Sequence, residues 1–402
     1  MSRILLLCYE YPPLGGGGGR VAAQIAASLV DRGHEVHCVT GGIASLPKRS
    51  IIEGVHVLRV RSGRKSEDTC TILEMFFWLI TALPVALKEV YCWKPKLMQA
   101  HFAVPTGALA WVLYQLTSIP YVLTIHLGDV PGGVPEQTAF LFKWIKFLTV
   151  PIWRSAAAVT AVSRFVAALG EKAYDIKPTV ILNGVCSKKI FSTFDLQPSY
   201  ASQYIKGKEI AAEKEPLDSL ERAKSVQMLM VGRLSIQKNP IFAIQALALL
   251  RGLPWNLKIV GEGPLFPSLA EIVKSKGLEE KISFLGWLRS NEVTAIMKQS
   301  DILLLPSLSE GLPMVGIEAL FHGLAIVGSR IGGLQDIIVE NENGSFFNLN
   351  EGPLGMAKAL RPLLEQRVLL KKMQQASLQK AKEFEWEKSM DAYEKIFQLV
   401  GS

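Results

Sequence analysis

The chain has 402 residues, of which 49% are hydrophobic and only 20% are charged. This composition excludes extensive disorder, and at roughly 100–200 residues per domain the length supports two or three hydrophobic cores. The net charge of +8 is unevenly placed, because residues 1–190 carry 20 Lys and Arg against 12 Asp and Glu, whereas residues 191–402 carry 24 of each.

The five cysteines are an odd number and form no CxxC or metal-like spacing. They predict neither a disulfide framework nor a zinc site, and they favour a reducing compartment. The apolar run Ile4 to Cys8 is too short for the core of a signal peptide. We therefore expect a cytoplasmic protein.

Two uncharged stretches resemble membrane spans. Met75 to Leu87 contains Pro84 and is shorter than the roughly 20 apolar residues that a span requires. Residues 97–128 include several polar residues and two prolines, in a pattern typical of strand, helix and strand. We expect neither stretch to cross a bilayer.

The first half of the chain alternates apolar strands with helical segments. The strand Ile4 to Tyr9 is followed by the glycines 15–19, a helix over Val21 to Val30 and a second strand over Val36 to Thr40. This order predicts a parallel βαβ unit. Further buried strands are predicted at Leu97 to Ala100, Tyr121 to Ile125, Val159 to Val162 and Thr179 to Leu182.

A polar, charged stretch over residues 197–225 separates this half from a second alternation. Its strands are predicted at Gln227 to Val231, Leu257 to Val260, Ile282 to Leu285, Ile302 to Leu305 and Ala325 to Val327. The chain is therefore predicted to be an α/β protein with two doubly wound domains. We place the domains at 1–195 and 226–383, with a linker at 196–225. The helical segment 384–402 either closes the second domain or crosses back to the first.

Glycines 15–19 lie between the first strand and helix, where backbone N–H groups and the helix dipole favour an anion. A tight turn without a ligand is the alternative. Dinucleotide binding is disfavoured, because the second strand ends at Thr40 and Gly41 without the acidic residue that would hold a ribose.

The segment VGRLSIQKNP, residues 231–240, carries two cations between a strand and a helix start. Asn239 and Pro240 suit an N-cap and a first helical residue. Arg233 and Lys238 then lie at the carboxyl end of a parallel strand, where they suit a diphosphate without a metal. Two solvated surface charges are the alternative.

The segment PSLSEGLPMVGIEAL, residues 306–320, places Glu310 in a loop and Glu318 inside the following helix. Because a helix rises 1.5 Å per residue, Glu318 lies about 7–8 Å along the axis from Pro313. The two carboxylates can therefore accept hydroxyls from different parts of one extended ligand, and the N–H groups of Gly311 and Leu312 suit phosphate. An ordinary helix-surface role for Glu318 remains the alternative.

These motifs, with GHEV at 33–36, GEGP at 261–264 and GGLQDIIVENENG at 332–344, resemble the family 4 retaining glycosyltransferases of the GT-B fold. The likeness extends over nearly the whole chain. It implies two Rossmann-like domains facing a central cleft, with the nucleotide sugar held mainly by the second domain. Several positions depart from the family pattern: Cys186, the EGLP segment at 310–313 and Asp336.

The resemblance also implies a role for each matching residue. Donor-binding residues are Gly16, Gly17, Arg233, Lys238, Gly311, Leu312 and Glu318. His126 and Glu310 would contact the transferred sugar as catalytic residues, and Asn183 and Gly263 would face the cleft. Taken alone, a histidine after a strand, such as His126, is more often a core or rim residue. Retention of configuration is likewise implied only by the resemblance.

We expect no cofactor and no metal, because the sequence contains no D-x-D motif. Fixed cations and N–H dipoles aimed at the diphosphate lower the barrier by stabilising the leaving group. No residue is assigned as a covalent nucleophile.

Residues 139–154 interleave aromatic with basic residues, among them Trp144, Lys146, Phe147 and Trp153. With the basic first half, they suit an anionic membrane surface, or else a helix packed into the first domain. No nucleic-acid recognition motif is present.

The predicted function is transfer of a hexose from a UDP- or GDP-sugar to a glycan or lipid-linked saccharide. It would take place in the cytoplasm, with possible peripheral contact at the inner face of the cell membrane. Alternatives are a nucleotide-sugar epimerase and a non-catalytic sugar-nucleotide-binding protein. A glycoside hydrolase is disfavoured, because it would leave Arg233 and Lys238 without a role.

Overall fold

The structure is a computed structural model that describes residues 1–65, 70–134, 147, 149–185 and 225–401. The chain forms two compact units. The first comprises Met1–Gly184 and Trp386–Ser402, and the second comprises Val185–Glu385. The predicted boundary at 195 and the predicted linker up to residue 224 lie outside the described residues.

An eight-stranded sheet forms the first unit. Its strands in chain order are β1 (Arg3–Leu7), β2 (Glu35–Gly42), β3 (Arg49–Ile52), β4 (Val55–Arg61), β5 (Leu97–His101), β6 (Tyr121–Ile125), β7 (Ala158–Ala161) and β8 (Thr179–Val180). Their order across the sheet is β3-β4-β2-β1-β5-β6-β7-β8. All neighbours are parallel except β3 and β4.

The helices that accompany this sheet include α1 (Gly17–Asp31), α2 (Ile72–Trp93), α3 (Ala108–Thr117), α4 (Arg164–Tyr174) and α12 (Trp386–Gly401). Helices α2 and α3 join one hydrophobic cluster with alternate residues of the strands, such as Leu5 and Leu7 of β1. Helix α12 packs on α1, β5 and β6, so the helical segment predicted at 384–402 contributes to the first unit.

A six-stranded parallel sheet forms the second unit. Its strands are β9 (Val226–Val231), β10 (Trp255–Val260), β11 (Ile282–Phe284), β12 (Ile302–Leu305), β13 (Ala325–Ser329) and β14 (Gly344–Phe347), in the order β11-β10-β9-β12-β13-β14. Its described helices are α5 (Pro240–Ala248), α6 (Phe266–Ser275), α7 (Ser290–Met297), α8 (Met314–Phe321), α9 (Leu334–Ile337), α10 (Pro353–Glu365) and α11 (Arg367–Ala381).

The α/β class and the two doubly wound sheets predicted from the sequence are confirmed. The sequence-based prediction missed β3, β4 and β14. The prediction for Thr179 to Leu182 was too long, because β8 ends at Val180. Among the described residues, α2 is the helix whose length and composition would suffice to cross a membrane, and it is longer than the 13-residue apolar stretch noted in the sequence.

Candidate active site

In the second unit, the segment between β9 and α5 carries both predicted cations. Arg233 and Lys238 line one crevice together with Ser307, which follows β12. Helix α5 begins at Pro240 with Asn239 at its N-cap, as predicted, although the Asn239 side chain forms no capping hydrogen bond. Asn239 takes a left-handed conformation with φ of 50°, and its own N–H donates to the carbonyls of Ser235 and Ile236.

Lys238 and Glu310 form an ion pair in which Nζ lies 2.5 Å from Oε1. The same carboxylate oxygen accepts a hydrogen bond from the Ser307 hydroxyl at 2.6 Å. Glu310 has only 7% of its side chain exposed, against 28% for Lys238. The cation predicted for the diphosphate and the carboxylate predicted for the sugar are therefore in direct contact.

Two more hydrogen bonds join the loop after β9 to the loop after β12. The Gln237 side-chain amide donates to the carbonyl of Ser309 at 3.1 Å, and the N–H of Leu308 donates to the carbonyl of Gln237 at 2.8 Å. These two hydrogen bonds connect the two loops that carry the ion pair.

The loop 310–313 is positioned by the turn before α9. The N–H of Gly333 donates to the carbonyl of Glu310 at 3.1 Å. A β-carbon on Gly333 would lie 1.7 Å from the carbonyl oxygen of Gly311, so only glycine permits this approach. The N–H groups of Gly311 and Leu312 have no protein acceptor within the described ranges, as a phosphate-binding role requires.

The remaining predicted residues of the second unit differ in exposure. Arg233 is exposed and forms no ion pair in the described part of the chain. Glu318 is half-buried on the second turn of α8. Asp336 is buried in α9. A β-carbon on Gly263 would lie 2.4 Å from the carbonyl oxygen of Leu234, so packing alone explains this glycine.

In the first unit, the glycine-rich turn leads into α1. The N–H of Gly16 donates to Oε2 of Glu10 at 3.1 Å. A β-carbon on Gly18 would lie 2.5 Å from Phe102, whereas one on Gly16 or Gly17 would meet no atom within 4 Å. Packing therefore fixes Gly18, while Gly16 and Gly17 border open space. Their donor-binding role stays a prediction.

His126 follows β6 and is buried beside Phe102, with the two ring centroids 4.5 Å apart. Burial lowers its pKa to about 4, which keeps the imidazole neutral at neutral pH. Its Nε2 lies 3.3 Å from Nδ1 of His101, so one of these rings donates and the other accepts. A neutral His126 can hydrogen-bond a hydroxyl but carries no charge to offer it.

Asp129 fixes the turn that contains His126. Its carboxylate accepts the N–H of His126 at 2.7 Å and the N–H of Ala103 at 2.8 Å. Burial raises the pKa of Asp129 to about 7. The sequence analysis did not single out Asp129 or His101. His101 is the last residue of β5 and His126 directly follows β6, so the two histidines lie at the carboxyl ends of neighbouring parallel strands.

The other predicted positions provide less evidence about function. Asn183 is buried after β8. Cys186 and residues 139–146 lie outside the described residues. Trp153 is buried and stacks on Tyr174 with ring centroids 4.2 Å apart, so this end of the aromatic and basic stretch packs in the core. Within the described ranges, no three His, Cys, Asp or Glu residues gather into a set that could hold a metal.

Comparison with models of known protein families identifies the family of this chain. Residues 15–188 match the model of Glycosyltransferase Family 4, and residues 212–381 match that of Glycosyl transferases group 1. The chain belongs to the family 4, group 1 glycosyltransferases. The first match lies almost wholly in the first unit, and the second match lies in the second unit and includes both residues of the ion pair.

Distant relatives of this glycosyltransferase include one that matches nearly its full length. N-acetyl-alpha-D-glucosaminyl L-malate synthase of Bacillus anthracis is 24% identical over 407 residues, covering 98% of this chain and 96% of that protein. Sucrose-phosphate synthase from Thermosynechococcus elongatus superposes with a TM-score of 0.80 at 17% identity, covering 100% and 99% of the two chains.

A second solved structure is similar in fold. The Anabaena protein HepE in complex with UDP and glucose superposes with a TM-score of 0.72 at 18% identity, covering 99% of this chain and 100% of that one. These likenesses and the two parallel sheets assign the glycosyltransferase to the GT-B fold.

Proposed function

We propose that this glycosyltransferase is a retaining, metal-independent hexosyltransferase. It would move a hexose from a UDP- or GDP-sugar to a hydroxyl of a glycan or lipid-linked saccharide. The observation that carries the proposal is the contact of Glu310 with Lys238, which lines a crevice together with Arg233. A cation for the leaving group and an acceptor for the sugar hydroxyls are adjacent there.

The charge arrangement suits departure of a nucleoside diphosphate. When the bond between the sugar C1 and the phosphate oxygen breaks, negative charge develops on the diphosphate. Lys238, Arg233 and the N–H groups of Gly311 and Leu312 would stabilise that charge without a metal. Glu310, buried beside Lys238, would accept sugar hydroxyls.

Retention follows if the acceptor attacks from the face that the diphosphate leaves. The acceptor oxygen would bond to C1 while its proton passes to a phosphate oxygen of the leaving group. This route needs no covalent intermediate. HepE was solved with UDP and glucose, which supports UDP-glucose as the first donor to test.

We also propose a cytoplasmic location, peripheral on the inner face of the cell membrane. The four described cysteines, Cys8, Cys38, Cys70 and Cys92, are free thiols, which supports a reducing compartment. A lipid-linked acceptor would place the enzyme at the membrane surface.

Donor binding can be tested by calorimetry on two pairs of variants. We expect Arg233→Ala and Glu318→Ala to weaken UDP-sugar or GDP-sugar binding by about 10- to 100-fold, because each removes a hydrogen bond to or from a charged group. The exposed residues Arg251 and Glu342 supply the controls Arg251→Ala and Glu342→Ala. Unchanged affinity in both site variants would overturn the assignment.

Turnover distinguishes the transferase from its alternatives. We expect release of nucleoside diphosphate with an added acceptor, a product of the donor's anomeric configuration by NMR, and full activity in EDTA. Epimerised free donor would indicate an epimerase. Binding without release across a panel of acceptors would indicate a non-catalytic protein.

A further inference from the structure

Helix α2 exposes a stripe of large apolar side chains. The exposed fractions are 62% for Ile72, 80% for Leu73, 61% for Phe76, 43% for Phe77 and 56% for Ile80. Three- and four-residue spacings place these side chains along one side of the helix. A contiguous apolar surface of this kind marks an interaction site rather than scattered surface residues.

The opposite side of α2 is built into the first unit. Trp78, Ala82, Ala86 and Val90 are buried, and the first three have at most 1% of their surface exposed. The helix packs on β2, β4 and α3. A helix crossing a bilayer would have to free this buried side from the core, so any membrane contact of α2 would be made by its exposed side alone.

Basic residues lie beyond the C-terminal end of the stripe. Lys88 is exposed eight residues after Ile80, and Lys94 and Lys96 are exposed just after the helix. The spacing from Ile80 to Lys88 keeps this lysine on the side of the stripe.

At the other end, the segment 61–65 runs beside α2. The Thr81 hydroxyl donates to the carbonyl of Arg61 at 2.5 Å, and the N–H of Lys65 donates to Glu74 at 3.2 Å. Both Arg61 and Lys65 are exposed. The two cations at this end are offset by Glu74 and by Glu67 and Asp68 of the sequence, so the charge excess of the stripe lies at its other end.

The two acidic residues of α2 are already engaged by the protein. Glu74 accepts the N–H groups of Thr71 and Lys65, and these hydrogen bonds help to lower its pKa. Glu89 lies 2.7 Å from Nδ1 of His37. These contacts do not remove the negative charges, so the positive excess of this surface comes from the exposed Lys88, Lys94 and Lys96.

We propose that the α2 face, defined as Leu73, Phe76, Phe77 and Ile80 with the flanking Lys88, docks on an anionic phospholipid bilayer. The apolar side chains enter the boundary between headgroups and acyl chains, and the lysines and arginines meet the anionic headgroups. Charge complementarity favours an anionic bilayer as the occupant, because Lys88, Lys94 and Lys96 lie beside an apolar stripe that contains two phenylalanines. The inference rests on the proposed peripheral location and names the surface of the protein that would contact the membrane.

Vesicle co-sedimentation tests the proposal without any sugar nucleotide. We expect the wild-type protein to bind phosphatidylglycerol-containing vesicles, with binding weakened in high salt, and to bind pure phosphatidylcholine at least about tenfold less. The triple variant Leu73→Ser/Phe76→Ser/Ile80→Ser should bind at least about tenfold less than wild type. The double variant Val368→Ser/Leu378→Ser, which changes exposed apolar residues of the second unit, should bind as wild type does.

Three outcomes would overturn the proposal. One is wild-type protein that fails to bind the anionic vesicles, and another is a triple variant that binds them undiminished. The third is wild-type protein that dimerises through these residues, seen as a smaller species for the triple variant in size-exclusion chromatography. UDP affinity measured on the same variants separates this result from the proposed function, since the α2 face contains no predicted donor-binding residue.

Discussion

Asp129 and His126 titrate in opposite directions within one buried turn. Burial lowers the pKa of His126 to about 4, so its contribution to stability is complete above about pH 6.5 and is lost as the pH falls towards 4. Burial raises the pKa of Asp129 to about 7, so its contribution is complete below about pH 3.8 and is lost as the pH rises through 7. Between pH 7 and 5 the two effects oppose each other.

Removing the Asp129 carboxyl should therefore leave the effect of His126 on the pH dependence of stability unopposed. We expect Asp129→Asn to lose about 2 kcal/mol more stability than wild type between pH 7 and pH 5, measured as the free energy of unfolding in urea. Asp175→Asn, at an exposed residue, is the control. Parallel pH curves for wild type and Asp129→Asn would contradict this account.

The chemical types at the candidate site could be predicted from sequence, but their contacts could not. Arg233, Lys238 and Glu310 stand out because they follow buried strands of a parallel sheet. The ion pair between Lys238 and Glu310 joins residues 72 positions apart, and it depends on the register between β9 and β12. His101 was missed because it ends a strand whose other residues are all buried.

Helix α8 depends on a backbone contact outside itself. The loop that leads into it touches Gly333 so closely that any side chain would displace one of the two backbones. We expect Gly333→Ala to weaken UDP-sugar binding by about tenfold or more, because small displacements at a binding loop are costly. Gly252→Ala, where a β-carbon meets no atom within 4 Å, should bind as wild type does. Equal affinities, measured by calorimetry on folded protein, would show that the loop tolerates the shift.

Central strands were predictable where burial on both faces produces an unbroken apolar run. β6 and β12 begin and end where the sequence predicted, because each run is bounded by polar or turn residues. β3 was missed because it is a short antiparallel edge strand with no buried residue. β4 was missed because exposed His56 and charged Arg59 interrupt its apolar pattern.

At the scale of the whole chain, α12 packs in the first unit although the second unit separates it from residues 1–184 in the sequence. Arg32, after α1, pairs with Glu387, Asp391 and Glu394, which share one side of α12. The indole N–H of Trp386 donates to the Ser28 hydroxyl at 2.7 Å. Polar contacts thus reinforce the burial of α12 residues such as Met390 and Tyr393.

We expect Arg32→Met to lower the melting temperature by about 2–4 °C at low salt. This corresponds to about 1 kcal/mol, a modest value because Glu387 and Asp391 are largely exposed. The difference from wild type should shrink in 1 M NaCl, which screens the ion pairs. Arg3→Met, which removes a single pair with both side chains nearly half exposed, should shift the melting temperature less. A salt-independent loss would mean that the Arg32 stem, not its charge, stabilises this contact.

The place of α12 in the first unit also has a consequence for synthesis on the ribosome. Residues 1–184 emerge early, but the helix that covers part of their sheet is translated only after the 201 residues of Val185–Glu385. At about 5–20 residues per second, this interval lasts about 10–40 s. During that time the nascent first unit exposes the apolar surface later covered by Met390, Tyr393 and Phe397, so chaperone capture at that surface should precede its completion.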